Sequence, residues 1–174
     1  MVCQGQLLEF PTGQFDTVIS CEAMEHNPFW VETMSNMFRM CKEGGLVIMT
    51  CAAPGRIEHG TTRSTPENSP LTVGLDWNYY RNLSEKDFLR TFPFDLWFSE
   101  FQFLQNWHSC DLLFWGRKRK DLNDSRNDSE LKIKLNEIYL KQNDLKSLKK
   151  KLQVTIFSDE NLFNLRKLKD RFFQ

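Results

Sequence analysis

Cys21, Glu22, Glu25 and His26 fall within six consecutive positions of the stretch "CEAMEHNPFW". These are types that ligate metals, move protons or attack carbon. On a helix, Glu22, Glu25 and His26 would share a face at spacings of three and four. Two carboxylates and an imidazole on one face suit a divalent cation. The run is not the HExxH zinc pattern, which needs two histidines one turn apart, and no metal is expected here. An imidazole titrates near neutral pH, so His26, and His59 further along, are candidate general bases for an oxygen or nitrogen nucleophile. Cys21 closes an apolar run, where cysteine behaves as a small apolar residue rather than a nucleophile. Arg63, in "HGTTR", has the planar fork that binds a carboxylate or phosphate.

Something must hold these residues in place. "FDTVIS" after the turn "PTGQ" predicts a strand over about 16–21. Asn27 is a candidate helix cap and Pro28 suits a first turn. Trp30, Met34, Met37 and Cys41 recur at spacings of four, three and four, one apolar helical face. Gly44 is the expected left-handed stop. "LVIMTCAA", 46–53, reads as a second strand, apolar on both sides. Strand, helix and strand with short joints predict a βαβ unit with parallel strands. Residues 54–83 read as a long loop of the kind that often carries function. Ser84 caps a short helix, "EKDFLRTF". "LWFSEFQFLQNW" and "SCDLLFWGRK" predict an antiparallel hairpin, with His108 in its turn. The aromatic residues there alternate as sheet packing requires, rather than forming a base-stacking surface.

The 174 residues suit one modest domain and an appendage. Formal net charge is zero, but residues 1–116 carry 7 basic against 14 acidic groups, net −7, and residues 117–174 carry 16 against 9, net +7. The expected organisation is an acidic body over 1–118, a linker over 119–128 and a basic helical tail over 129–174. Leucines run through the tail at helical spacing, so "KSLKKK" is read as the solvated face of a packed helix, and nucleic acid is not the expected partner. The tail's charge suits docking on the acidic body, on another subunit or on an anionic membrane surface. Five cysteines, odd in number and without a CxxC, argue against a disulfide framework or zinc knuckle. No leader and no membrane-spanning run are read, so the cytoplasm is the default location.

The stretch "LLEFPTGQFDTVISCEAMEHNPFWVETMSNMFRMCKEGGLVIMTCAAP" resembles the C-terminal part of a class I S-adenosylmethionine-dependent methyltransferase of the type 11-like kind. That family reads "DLPFPDGSFDVVVSxxVLEHV", then a helix, then "LKPGGxLxIxxP". The resemblance implies an α/β fold: a partial doubly wound, Rossmann-like sheet with a C-terminal antiparallel hairpin, followed here by the helical tail. It implies S-adenosylmethionine as cofactor and methyl transfer to a small-molecule or glycan-type acceptor. By position, Gln4 and Gly5 would contact adenine. Ser20, Cys21 and Glu22 would lie near the methionine moiety, and the acceptor would come in over the 54–83 loop. The glycine-rich cofactor turn and the acidic ribose contact have no counterpart in this sequence. The expectation is therefore a truncated or split methyltransferase, or a noncatalytic half-domain that pairs with a partner completing the fold.

Overall fold

The computed structural model describes residues 4–121, 133, 136–137 and 145–156. The linker reading over 122–128 and the tail reading over 129–132, 134–135, 138–144 and 157–174 lie outside these residues. β1 (Phe15–Cys21) leads through a 3-10 turn (Met24–His26) into α1 (Trp30–Met40), and β2 (Cys41–Ala52) follows. β1 and β2 pair in parallel, as the βαβ reading requires. After the 54–83 stretch come α3 (Glu85–Thr91), α4 (Phe94–Trp97), β3 (Phe98–Asn106) and β4 (Asp111–Lys118). That stretch is not all loop, since it holds α2 (Pro70–Gly74) and a 3-10 turn at Pro66–Asn68. The hairpin is antiparallel, and the sheet order is β1-β2-β4-β3. The last strand is inserted between β2 and β3, so β4 runs antiparallel to β2. The architecture is mixed α/β with a partial Rossmann-like sheet.

The helix boundaries differ from expectation for identifiable reasons. Asn27 does not cap α1. It precedes the helix, its Oδ1 accepting from the Phe29 amide at 2.8 Å and its Nδ2 donating to Thr33 Oγ1 at 2.7 Å. Gly44 does not end α1 either, because the helix stops at Met40 and the chain turns straight into β2. The stop is provided from far away in sequence. Lys118 Nζ donates to the carbonyls of Phe38 and Cys41, both at 2.9 Å, and lies 4.3 Å from the centre of the Phe38 ring. A cation at this end of a helix also meets the negative pole of its dipole. Gly44 instead takes its left-handed φ of 70° inside β2, where four residues between Cys41 and Leu46 have no partner on β1. Gly45 fits there because a Cβ would stand 2.8 Å from the Asp16 carbonyl oxygen. β3 begins two residues later than the aromatic run suggests, since Phe94–Trp97 form the turn of α4.

The core sits under one face of the sheet. Trp30, Met34 and Met37 of α1 are buried as their spacing requires. They meet Val47, Met49 and Cys51 of β2 and Leu112 and Phe114 of β4 in one cluster. α3 joins the same side, the rings of Trp30 and Phe88 lying 5.1 Å apart. Its start is fixed by a capping box: the Ser84 amide donates to Asp87 Oδ2 at 2.8 Å while the Ser84 hydroxyl serves the helix. Phe94 is the hub of the aromatic packing, with five phenylalanine rings within 6 Å of its centre. Part of the basic tail reaches the body. In α5 (Leu145–Ile156), Lys150 Nζ donates to the His108 carbonyl at 2.9 Å and Lys151 lies 5.5 Å from the Trp107 ring centre. Among the described residues no helix is long and apolar enough to cross a membrane.

Candidate functional site

At the C-terminal end of β1 the backbone leaves the strand through Glu22, whose φ is +48°. This left-handed step sends Glu22 outward to solvent and turns Met24, Glu25 and His26 inward, all three buried. Glu22, Glu25 and His26 therefore do not share a helical face as their spacing predicted. Glu25 has no exposure, and neither of its carboxylate oxygens accepts a hydrogen bond among the described residues. Its partner in space is not Glu22 but His59, from the long loop. The ligand atoms of Glu25, His26 and His59 all lie within 4.8 Å of one another.

The loop is tied down over this cluster. The Arg81 amide donates to the Glu25 carbonyl and the Leu83 amide to the Ala52 carbonyl, each at 2.9 Å. Arg56 Nη1 donates to the Ser109 carbonyl at 2.8 Å and pairs with Asp111 at 3.1 Å. Gly60, with φ +63°, passes so close to His26 that a Cβ would lie 2.7 Å from the imidazole Cε1. The rings of His26 and His59 meet edge to face at 5.0 Å between centres, and Tyr80 packs against both at 5.4 and 5.1 Å. The Ile57 carbonyl receives the Tyr80 hydroxyl at 3.2 Å and lies 3.0 Å from His59 Nδ1.

The electrostatics follow from burial. Desolvation raises the Glu25 carboxyl to about 7, against the pull of nearby backbone amides at Glu25 and Ala52, with Glu22 adding repulsion. His26 falls to about 4, first through desolvation and then through the neighbouring His59. It is therefore a neutral imidazole at neutral pH, and its Nδ1 is buried with no partner among the described residues. Burial also drives the Tyr80 hydroxyl well above its ordinary value.

A cavity of about 510 Å³ opens beside the cluster. Gln4 and Gly5 line it from one side, Ala23 and Asn27 from the turn after β1, and Thr72 and Trp77 from the loop. The sequence reading singled out Gln4 and Gly5 but missed Thr72 and Trp77, for which only the unusual length of the 54–83 stretch was a sign. Ser20, Cys21 and Glu22 end β1 without lining this cavity, and Cys21 is exposed. Arg63 pairs with Glu58 at 2.8 Å while 57% of its side chain stays exposed.

A family model described as "Methyltransferase domain" matches residues 1–49, the segment that carries β1, the cluster turn, α1 and most of β2. Over these residues the chain is similar to that methyltransferase family. No match was found among curated proteins. Solved structures similar to this chain include a S-adenosylmethionine-dependent methyltransferase from Thermotoga maritima, 15% identical, with a TM-score of 0.46, covering 67% of this chain and 62% of that one. The YcgJ protein of Bacillus subtilis is 13% identical with a TM-score of 0.45, covering 68% and 70%. An arsenic(III) S-adenosylmethionine methyltransferase from Chlamydomonas reinhardtii is 16% identical with a TM-score of 0.46, covering 71% and 45%. The chain thus spans less than two thirds of the Thermotoga and Chlamydomonas proteins.

Proposed function

We propose that this chain forms the acceptor side of a S-adenosylmethionine-dependent methyltransferase acting on a small-molecule or glycan-type acceptor. The observation that carries the reading is the 510 Å³ cavity, built jointly by the methyltransferase-type segment and the 54–83 loop. Its size suits a ligand of cofactor or metabolite class, and its walls are mainly apolar with a few polar groups, as binding sites tend to be. Gln4 and Gly5, which line the cavity, are the proposed adenine contacts, and Ser20, Cys21 and Glu22, at the end of β1 outside its lining, are the proposed contacts of the methionine end. Arg63, largely exposed, is the proposed contact for an anionic group on the acceptor. Methyl transfer from a sulfonium is in-line displacement at carbon, so alignment of donor and acceptor is the main demand on the protein. The lone pairs of His26 and His59 are available to a proton or to a cation.

The test is calorimetric titration of S-adenosylmethionine and of S-adenosylhomocysteine into the purified chain. Saturable binding, weakened at least tenfold by Thr72→Trp with an unchanged melt, is the expected result. Absence of binding at millimolar ligand overturns the enzymatic reading for this chain. One feature favours a second reading, a noncatalytic half-domain completed by a partner. β1 is an edge strand, and Ile19 on it is 59% exposed, although it pairs with Ile48 on a sheet surface that also holds Leu46. An exposed apolar edge is a template for strand addition. A shift to a larger species when a candidate partner is added, lost in Ile19→Lys, would support that reading.

A further inference from the structure

We propose that Glu25, His26 and His59 bind a divalent first-row metal ion, clamping the 54–83 loop to the turn after β1. Three facts about these atoms converge. Both Glu25 oxygens and His26 Nδ1 are buried and receive nothing from the described protein. An unpaired polar group in such a place costs stability, and an unpaired carboxylate costs more. One cation held by a Glu25 oxygen and by a nitrogen of each imidazole would give these buried groups a common partner. The third fact concerns His59. Its Nδ1 faces the Ile57 carbonyl at 3.0 Å, which fixes the proton there and leaves Nε2 as the free lone pair. Metal-ligating histidines commonly use this arrangement, with a carbonyl holding the other ring nitrogen.

The donor set selects the metal. Two imidazoles and one carboxylate match zinc, cobalt or iron(II) rather than calcium or magnesium, which prefer oxygen. Bonds of about 2.1 Å require ligand atoms roughly 3–4 Å apart. The cluster, now within 4.8 Å, must draw in by about 1 Å. His59 is half-buried and lies on a loop, so it is the member able to move. Three protein ligands leave at least one coordination position open. Glu22, by spacing the natural third ligand, points away, and His59, 33 positions from His26 in sequence, takes that place. A metal on both imidazoles uses the lone pairs that a general-base role would need, so the two assignments exclude each other. The proposal rests on these side chains alone and holds whether or not the chain binds S-adenosylmethionine.

The experiment is titration of Co²⁺ into the metal-free, fully reduced chain, followed by its visible absorption, with Zn²⁺ in competition. The expected result is one equivalent bound with low-micromolar affinity, displaced by Zn²⁺ and without a thiolate-to-cobalt charge-transfer band. His59→Ala should weaken binding at least tenfold while leaving the melt of the metal-free chain unchanged, and Glu25→Gln should do the same. If Glu25→Gln fails to fold, His59→Ala decides alone. Cys21→Ser and His108→Ala should leave affinity unchanged. Binding that is absent, that survives His59→Ala, or that disappears in Cys21→Ser overturns the proposal.

Discussion

The two ends of the sheet are built on opposite principles. Under β3 and β4, phenylalanines fill space, and Phe94, Phe98 and Phe114 pack ring to ring with at most 2% exposure. The side chains of these three are hydrocarbon throughout and carry no polar group to strand. Beyond the C-terminal ends of β1 and β2, a carboxylate and an imidazole are buried with open hydrogen-bonding capacity. The first region supplies stability by burying apolar area. The second spends some of it to hold reactive groups where water is excluded. Such a contrast within one small sheet separates scaffold from site.

Substitutions at either end test that contrast, and the largest effect belongs to the scaffold. Phe114→Ala should cost about 3–5 kcal/mol in urea unfolding, through lost transfer energy and the cavity left behind. A loss below about 1 kcal/mol would mean that the aromatic cluster is loosely packed. Gly60→Ala comes next. Its positive φ and the 2.6 and 2.7 Å approaches to Ser69 and His26 leave no room for a methyl. A cost of about 2 kcal/mol is expected, with a fall in cobalt affinity out of proportion to it, because the loop must move off the imidazole. Unaltered affinity would show that the loop does not set the site.

A smaller effect is expected at the capping box. Asp87→Ala should cost about 1 kcal/mol. Burial pushes the Asp87 carboxyl up, but the Ser84 hydroxyl and amide and the Arg81 guanidinium more than offset this and leave it below its ordinary value. A depressed folded pKa stabilises the fold above the unfolded value of about 3.9 and loses that contribution as pH falls through the folded value. Asp87→Asn should therefore flatten the acid limb of the stability curve, and an unchanged limb would rule out the linkage. The smallest effect sharpens the contrast most. Glu25→Gln in the metal-free chain should change stability by less than about 1 kcal/mol, in either direction, because no protein hydrogen bond is lost and a buried charge is removed. A loss beyond about 2 kcal/mol would mean that Glu25 belongs to the scaffold after all.

Legibility in the sequence followed the range of the interaction. The β1 and β2 segments, the apolar stripe of Trp30, Met34 and Met37, the Ser84 cap and the hairpin were all readable, since each depends on neighbours within a few residues. The misreadings at Gly44 and in the cavity lining involve distant partners, while those at Asn27 and Glu22 are local. Gly44 looked like a helix stop, but Lys118, 80 residues from Phe38, holds the helix end. Glu22 and Glu25 looked like a pair, but a single left-handed residue at position 22 sends them opposite ways. The cavity lining at Thr72 and Trp77 carries no periodicity of its own.

By itself, then, the amino-acid sequence determined the local elements, the parallel βαβ unit and the likeness of its first 49 residues to a methyltransferase domain. Periodicity, capping and turn chemistry are short-range and survive in the order of residues. The tertiary structure alone decided that β4 lies between β2 and β3, and that His59 stands beside His26 over a buried, unpaired Glu25. Both are encounters between segments distant in sequence, fixed by packing of the whole chain, and no local pattern encodes where a long loop comes to rest.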